Sequence, residues 1–294
     1  MALFSKPTAR ALAIIDLLMA NPKCTYGLTD LTRRLKLNKA TCHAILSTMK
    51  SNGFLLQDPK NKTYRLGPSM AAAGHAAISQ LPSLIYTMTE VRNLSLELSM
   101  DCIICACSNN SLVTLAHYQH SDTRLPESGL RLPNIAPFGA CFIAWSTASQ
   151  LQQWISQGHE TQDEYLEILD YKIRISVISI LKRGYEVTLK TSAESNWRDS
   201  LNNTNTQAQE ELNHIYQQSL FQEDFHLNNI KAHKKYSVSQ ITVPIFNLAN
   251  KPELVMTVSP RQMLSGKEIE AIADRLKQAS RRASRAVTES QAKP

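Results

Sequence analysis

Few residues in this chain interrupt regular structure: 9 Gly and 12 Pro among 294 positions, a composition that excludes a low-complexity or largely disordered polypeptide. With 43% hydrophobic residues the chain is expected to fold almost throughout. No apolar run reaches the roughly 18 residues that a bilayer span requires, because Arg10 and Asp16 break the first candidate and polar residues break the others. The stretch Ala11–Ala20, placed where the apolar core of a secretory leader would lie, contains Asp16 and has helical periodicity. A cytoplasmic protein with no membrane partner is expected.

Cysteine is also sparse, and six in a chain of this length do not make a disulfide framework. Cys102, Cys105 and Cys107 are close in sequence, but strand alternation turns Cys102 to one face and the other two to the opposite one. No Cys or His follows at the spacing of a structural zinc site, so neither metal nor cofactor is expected. A Gly-rich phosphate loop, a His-Glu-x-x-His pair and a Gly-x-Ser-x-Gly elbow are all missing. His117, His120, His159 and Cys141 are the residues on which a nucleophilic dyad would draw, yet nothing in their spacing joins them. No catalytic residue is assigned.

What the chain does have is a lopsided charge. Residues 1–70 hold eleven Lys/Arg against three Asp, a net +8, whereas the whole chain carries +7. A basic module joined to a larger, nearly neutral one points to nucleic acid at one end and another task at the other.

The basic module reads as three short helices and a hairpin. Helix one is expected over Thr8–Ala20, with Ala11, Leu12, Ile15, Leu18 and Met19 as its apolar stripe, stopped by Asn21-Pro22. Helix two begins near Thr29 as N-cap and buries Leu31 and Leu35, leaving Arg33 and Arg34 in water. Asn38 caps helix three, Lys39–Ser51, whose inner face is Cys42, Ile45, Leu46 and Met49. Lys39, Thr41, His43 and Ala44 then lie near its exposed first turns, where the positive end of the helix dipole and the free side chains meet phosphates and base edges. Gly53 ends the helix. Phe54–Leu56 pairs with Thr63–Leu66 across a tip that carries Lys60 and Lys62. This is the pattern of a winged helix-turn-helix, with double-stranded DNA as its partner. The DNA-binding candidates are Arg33, Asn38, Lys39, Thr41, His43, Lys60 and Lys62. Two other readings remain: a DNA reader fused to a metabolic enzyme domain, and a winged-helix protein-interaction module.

The segments Arg10–Leu18, Leu31–Leu35, Lys39–Leu46, Gly53-Phe54-Leu55 and Tyr64-Arg65-Leu66-Gly67 resemble the DNA-binding domain of IclR-family bacterial transcriptional regulators. That resemblance implies a sequence-specific promoter binder acting as a homodimer or dimer of dimers, with a C-terminal GAF-like domain that receives a small-molecule effector. Family members commonly have Gly at the position of Lys36, Ser at that of Ala40 and Arg at that of Ala44. If the turn still needs a positive φ, Lys36 costs about 1 kcal/mol relative to Gly. The loss of a hydroxyl at Ala40 and of a long donor at Ala44 means that the operator sequence is not inherited.

After Gly67-Pro68 the small residues of Met70–Ala77 predict a connector helix, which in the family joins reader to sensor and helps form the dimer. A helix along Leu84, Met88, Val91, Leu94 and Leu98 leads into strands Asp101–Cys107 and Leu112–Tyr118, with Asn109-Asn110 as their turn. A Pro-rich loop over Arg131–Phe138 then opens an apolar helix at Gly139-Ala140, which have almost no side-chain bulk. Locally this is a tightly packed turn or a ligand-admitting helix start. The resemblance makes it the border of the effector cavity, with Ile135, Phe138, Gly139, Ala140 and Cys141 as candidates.

Thr161–Glu164 has the form of a capping box before a long helix along Leu166, Leu169, Ile173, Ile180 and Leu181 that ends at Gly184. A polar helix is expected over Thr206–Ser219. Ser237–Phe246 and Glu253–Val258 form a hairpin in which Pro244 marks an edge or terminus. Ser265–Glu268 caps a last helix with Ile269, Ile272, Leu276, Ala279 and Ala283 inward, its late Lys277, Arg281, Arg282 and Arg285 suiting the negative end as a solvated face. The whole is an α+β chain: winged helix-turn-helix over 1–67, connector helix over 68–80, and a GAF-like mixed α/β effector-binding domain over 81–290 with an extended 191–236 region.

Overall fold

A computed structural model of the protein describes residues 5–108, 111–120, 131–157, 163–191 and 223–291. The Asn109-Asn110 turn, the cap at Thr161, His159, the Thr206–Ser219 helix and most of the 191–236 region lie outside the described residues.

The first unit contains α1 (Lys6–Ala20), α2 (Leu28–Arg34), α3 (Lys39–Ser51), β1 (Leu55–Gln57) and β2 (Tyr64–Leu66). Ser5 caps α1 and Pro7 occupies its first turn, so the helix starts two residues before Thr8. Its inner face also differs from the expected stripe. Ile14 and Leu18 are buried, whereas Leu12 is 54% exposed. Ala11-Leu12-Ala13-Ile14-Ile15 is apolar at every position, and packing against Leu31, Leu46 and Leu55 sets the phase. Helix α2 begins at Leu28 rather than after Thr29. The Asp30 carboxylate accepts the Gly27 N–H at 3.2 Å, so the cap is made from inside the first turn. Arg33 is exposed as expected, but Arg34 stacks on the Tyr26 ring, 5.1 Å from its centroid. Tyr26 adds a single antiparallel bridge to Tyr64 and so ties the loop before α2 to the wing.

Helix α4 (Pro68–Ser79) has no buried residue. Beyond it come α5 (Pro82–Leu98), β3 (Asp101–Ser108), β4 (Ser111–Tyr118), β5 (Arg131–Pro133), α6 (Ala140–Ile143), α7 (Ala148–Ser156), α8 (Asp163–Arg183), β6 (Glu186–Leu189), β7 (Lys235–Phe246), β8 (Pro252–Ser259), β9 (Met263–Ser265) and α9 (Gly266–Gln291). Among the described residues seven strands form one sheet in the order β5-β4-β3-β8-β7-β6, with β9 also on β7 and every pairing antiparallel. One face carries the main core: Ile104, Val187, Ile241, Val243, Met256 and Val258 against Leu84, Val91 and Leu94 of α5 and Ile269, Leu276 and Ala279 of α9. Side chains of α6, α7 and α8, among them Ala140, Trp154, Ile173 and Ile180, make a second cluster. Leu181, expected inward on α8, is 45% exposed, and Val177 takes the inner position instead.

Pro244 lies in a strand that has neighbours on both sides, yet β6 ends its pairing at Thr242, so among the described residues only β8 is bonded at Pro244. The missing N–H therefore costs nothing there. The box on the last helix forms as expected, with the Ser265 N–H donating to Glu268 at 2.7 Å and the Glu268 N–H donating to Ser265 at 3.3 Å. That helix runs on to Gln291, however, and no basic residue falls in its last turn, so Lys277, Arg281, Arg282 and Arg285 are not placed by the helix end. Among the described residues no helix is long and apolar enough to cross a membrane.

Candidate functional site

Helix α3 is positioned by its own ends and its inner face. Asn38 Oδ1 accepts the N–H groups of Ala40 at 2.8 Å and Thr41 at 3.5 Å, using two of the four donors that a helix start leaves free. Cys42, Leu46 and Met49 are buried against the other two helices, each large side chain contributing about 1.5–3 kcal/mol. The turn from α2 into α3 is tight: the Leu37 N–H donates to the Thr32 carbonyl at 3.0 Å, and Lys36 adopts φ 50°.

These constraints leave Lys39, Ala40, His43, Ala44, Ser47 and Thr48 exposed along one side of α3. Thr41 is half-buried and stands on the flank of that row. Ser47 was missed by sequence reasoning, although it follows His43 at the four-residue interval that defines a helix face. Thr48 is less free, since its hydroxyl donates to the Ala44 carbonyl at 3.0 Å. Lys50 turns to the wing, with Nζ donating to Gln57 Oε1 at 2.9 Å. Arg33 is exposed beside this row and donates to Asp30 at 3.4 Å.

The wing pairs Leu55 with Leu66 and Gln57 with Tyr64. At its tip the Asp58 carboxylate accepts the N–H groups of Lys60 and Asn61, both at 2.8 Å, an Asx turn that presents Lys60 and Lys62 outward. Those backbone bonds hold the Asp58 carboxyl below its ordinary value, with Arg65 and Lys62 adding to the effect. Lys62 has φ 56°. Arg65, on the outer side of β2 and exposed, belongs to the same basic surface and was not among the sequence candidates.

The second set of candidates is more enclosed than expected. The segment after β5 contains a cis Ala136–Pro137 bond and turns at Gly139, φ 89°. A side chain at Gly139 would collide with Asn134 Oδ1. Asn134 is itself fixed, accepting from Trp154 Nε1 at 3.2 Å and donating to Cys107 Sγ at 3.1 Å. Packing thus accounts for the small residues at 139 and 140. Helix α6 is only one turn long, and it offers no extended helix start for an anion. Ile135, Phe138 and Gly139 are half-buried, whereas Ala140 and Cys141 are buried. Cys141 lies against Phe142 and Val255, and burial raises its thiol well above the usual value, which is the wrong direction for a nucleophile. Burial likewise pushes Cys102 up to about 12 and Cys105 to about 11.

Sequence reasoning did not see the sheet face beneath this loop. Glu186, Thr188, Thr242, Thr257 and Ser259 are all buried on it, opposite the apolar face. His226 Nε2 lies 2.8 Å from Glu186 Oε1, and the Thr242 and Thr257 hydroxyls are 3.0 Å apart. Phe225, beside His226, packs edge-on against Phe138 at 5.9 Å. Among the described residues no group of three His, Cys, Asp or Glu is arranged to hold a metal.

A capped, outward-facing helix beside a basic hairpin, followed by a mixed α/β domain, gives the chain a winged-helix unit joined to a second, larger unit. Residues 7–59 match the family model of the IclR helix-turn-helix domain. Over 73 residues the chain is 36% identical to the HTH-type transcriptional regulator XynR of Escherichia coli K12, a stretch covering 24% of this chain and 28% of that one. The IclR transcriptional regulator from Alicyclobacillus acidocaldarius has the same fold, with TM-score 0.68 at 18% identity over 97% of this chain and 100% of its own. An IclR homolog from Microbacterium hydrocarbonoxydans, solved in complex with 4-hydroxybenzoate, aligns with TM-score 0.67 at 14% identity over 97% and 100% of the two chains. Residues 7–59 thus form a helix-turn-helix domain of the IclR type. The match spans about a quarter of the length of the first curated relatives.

Proposed function

We propose that this protein is a cytoplasmic transcriptional regulator, not an enzyme, that binds specific double-stranded DNA through α3 and the wing and is modulated by a small molecule in its C-terminal domain. The observation that carries the reading is the exposed row Lys39, His43 and Ser47 on a capped helix, flanked by Lys60, Lys62 and Arg65 of the wing. On this reading Lys39, Arg33, Lys60 and Lys62 meet phosphate, Asn38 orders the helix start, and His43 reads a base edge with Thr41 at its flank. Domain limits of 1–67, 68–80 and 81–290 are part of this reading, supported by the exposed helix α4 between two separate cores.

The effector reading is supported by the buried polar sheet face, where a bound molecule finds hydroxyls and the Glu186–His226 pair under the loop of Ile135, Phe138, Gly139, Ala140 and Cys141. Ala140 and Cys141 are themselves too enclosed to be more than its wall. The relative from Microbacterium binds an aromatic acid, which supports a ligand of comparable size. A homodimer, or a pair of dimers, is supported by α4, whose small residues from Ala71 to Ala77 are exposed within one chain, followed by Ile78 at 38% exposure. Selection of genomic fragments by the purified protein tests the proposal. It is expected to enrich fragments sharing one operator sequence; recovery of random fragments at equal efficiency would overturn it.

A further inference from the structure

Beyond the DNA-binding face and the buried polar face, the far end of the sheet holds a third feature. Because β6 stops opposite Thr242, residues 243–246 of β7 have no strand on that side among the described residues, and the space between them and α9 is a groove of 410 Å³. Pro244, Phe246 and Trp145 make its apolar wall, the last two packed edge-on with centroids 5.1 Å apart. The opposite wall is the side of α9 bearing Lys277, Arg281 and Arg285, spaced four residues apart and therefore aligned on one face. The two walls are pinned together, with the Ser280 hydroxyl donating to the Pro244 carbonyl at 2.6 Å and the Phe246 N–H donating to the Ser284 hydroxyl at 3.3 Å.

Charge pairing on α9 is selective. On the side toward α5, Arg282 forms a two-pronged pair with Glu90 and Arg275 pairs with Glu97. Lys277, at the mouth of the groove, is held by Asp274 at 2.8 Å and lies over the Tyr185 ring. Among the described residues Arg281 and Arg285 have no such partner, and no Asp or Glu lines the groove. Arg275, Lys277 and Arg282 are thus paired, while Arg281 and Arg285 face the apolar wall across the groove. Guanidinium forks match the oxygens of a phosphate group, and a half-exposed aromatic pair covers a ring.

We infer that this groove is a binding site for a small aryl phosphate, its phosphate held by Arg281 and Arg285 and its ring set against Trp145 and Phe246. The site is separate from the buried polar face and from α3, so it stands or falls independently of the regulatory reading.

Calorimetric titration of the full chain with phenyl phosphate tests it, with phenol and inorganic phosphate as controls and the double variant R281Q/R285Q as comparison. Both arginines are exposed, so the variant is expected to keep the unfolding temperature of the parent. The expected result is saturable binding of phenyl phosphate, weakened about tenfold or more in the variant, with both controls weaker than phenyl phosphate and DNA affinity unchanged. Four results would overturn the inference: no saturable binding; equal binding by the variant; inorganic phosphate binding as well as the ester; or a loss of DNA affinity in the variant, which would make the arginines a contact to duplex.

Discussion

His43 and Ala44 lie side by side on the outward face of α3, one able to donate to a base edge and the other unable to reach past its own methyl group. This pair, with Ala40 one turn earlier, gives the outward face of α3 its character: few long donors, and a single aromatic one at the centre. His43→Ala is therefore expected to reduce discrimination between the selected operator and random duplex by about 1–3 kcal/mol, measured as the ratio of the two affinities. Equal weakening on both duplexes would put His43 on the backbone instead. Ser47, on the same face, carries no charge or apolar signal of its own, and its four-residue spacing from His43 is what marks it.

At the scale of elements, the local signals were strongest where a cap and a turn bracket an apolar period. Asn38 and Gly53 bracket α3, and both ends are as expected. The start of α2 was misplaced because its cap is a glycine whose N–H is taken by Asp30, an arrangement that leaves Thr29 looking like the better candidate. The turn between the two helices offers a direct test. Lys36 holds a left-handed φ of 50° that glycine adopts without penalty. Lys36→Gly should stabilise the protein by about 1 kcal/mol in denaturant unfolding, because relief in the folded turn outweighs the added freedom of the unfolded chain. A loss of stability would mean that Lys36 contributes packing or charge that the strain argument omits.

The C-terminal sheet shows why alternation alone is an incomplete guide. Glu186-Val187-Thr188-Leu189 and Met256-Thr257-Val258-Ser259 have the pattern of strands with one wet face, but both faces are covered. Nothing in the pattern distinguishes water from a layer of helices and loops, and this concealed the polar face that the effector reading now rests on. Strands of three residues, such as β5 and β9, carry too little pattern to be recognised before their partners are known.

For the whole molecule, the charge of its first 70 residues is resolved into a surface with an orientation. Arg33, Lys39, Lys60, Lys62 and Arg65 are exposed around α3 and the wing, whereas Arg34 and Lys50 are turned to internal contacts. An exposed set of five cations meeting phosphate releases counterions on binding, so affinity must depend steeply on salt. Association of the full chain with operator duplex, followed across a series of salt concentrations, measures this directly. The account predicts a linear fall of log K against log salt with a slope of about −4.5 for each bound reading head, reduced by about 2 when Lys60 and Lys62 are both replaced by Ala. A slope near zero, or one unchanged in the double variant, would contradict the claim that this basic face is the surface that holds DNA.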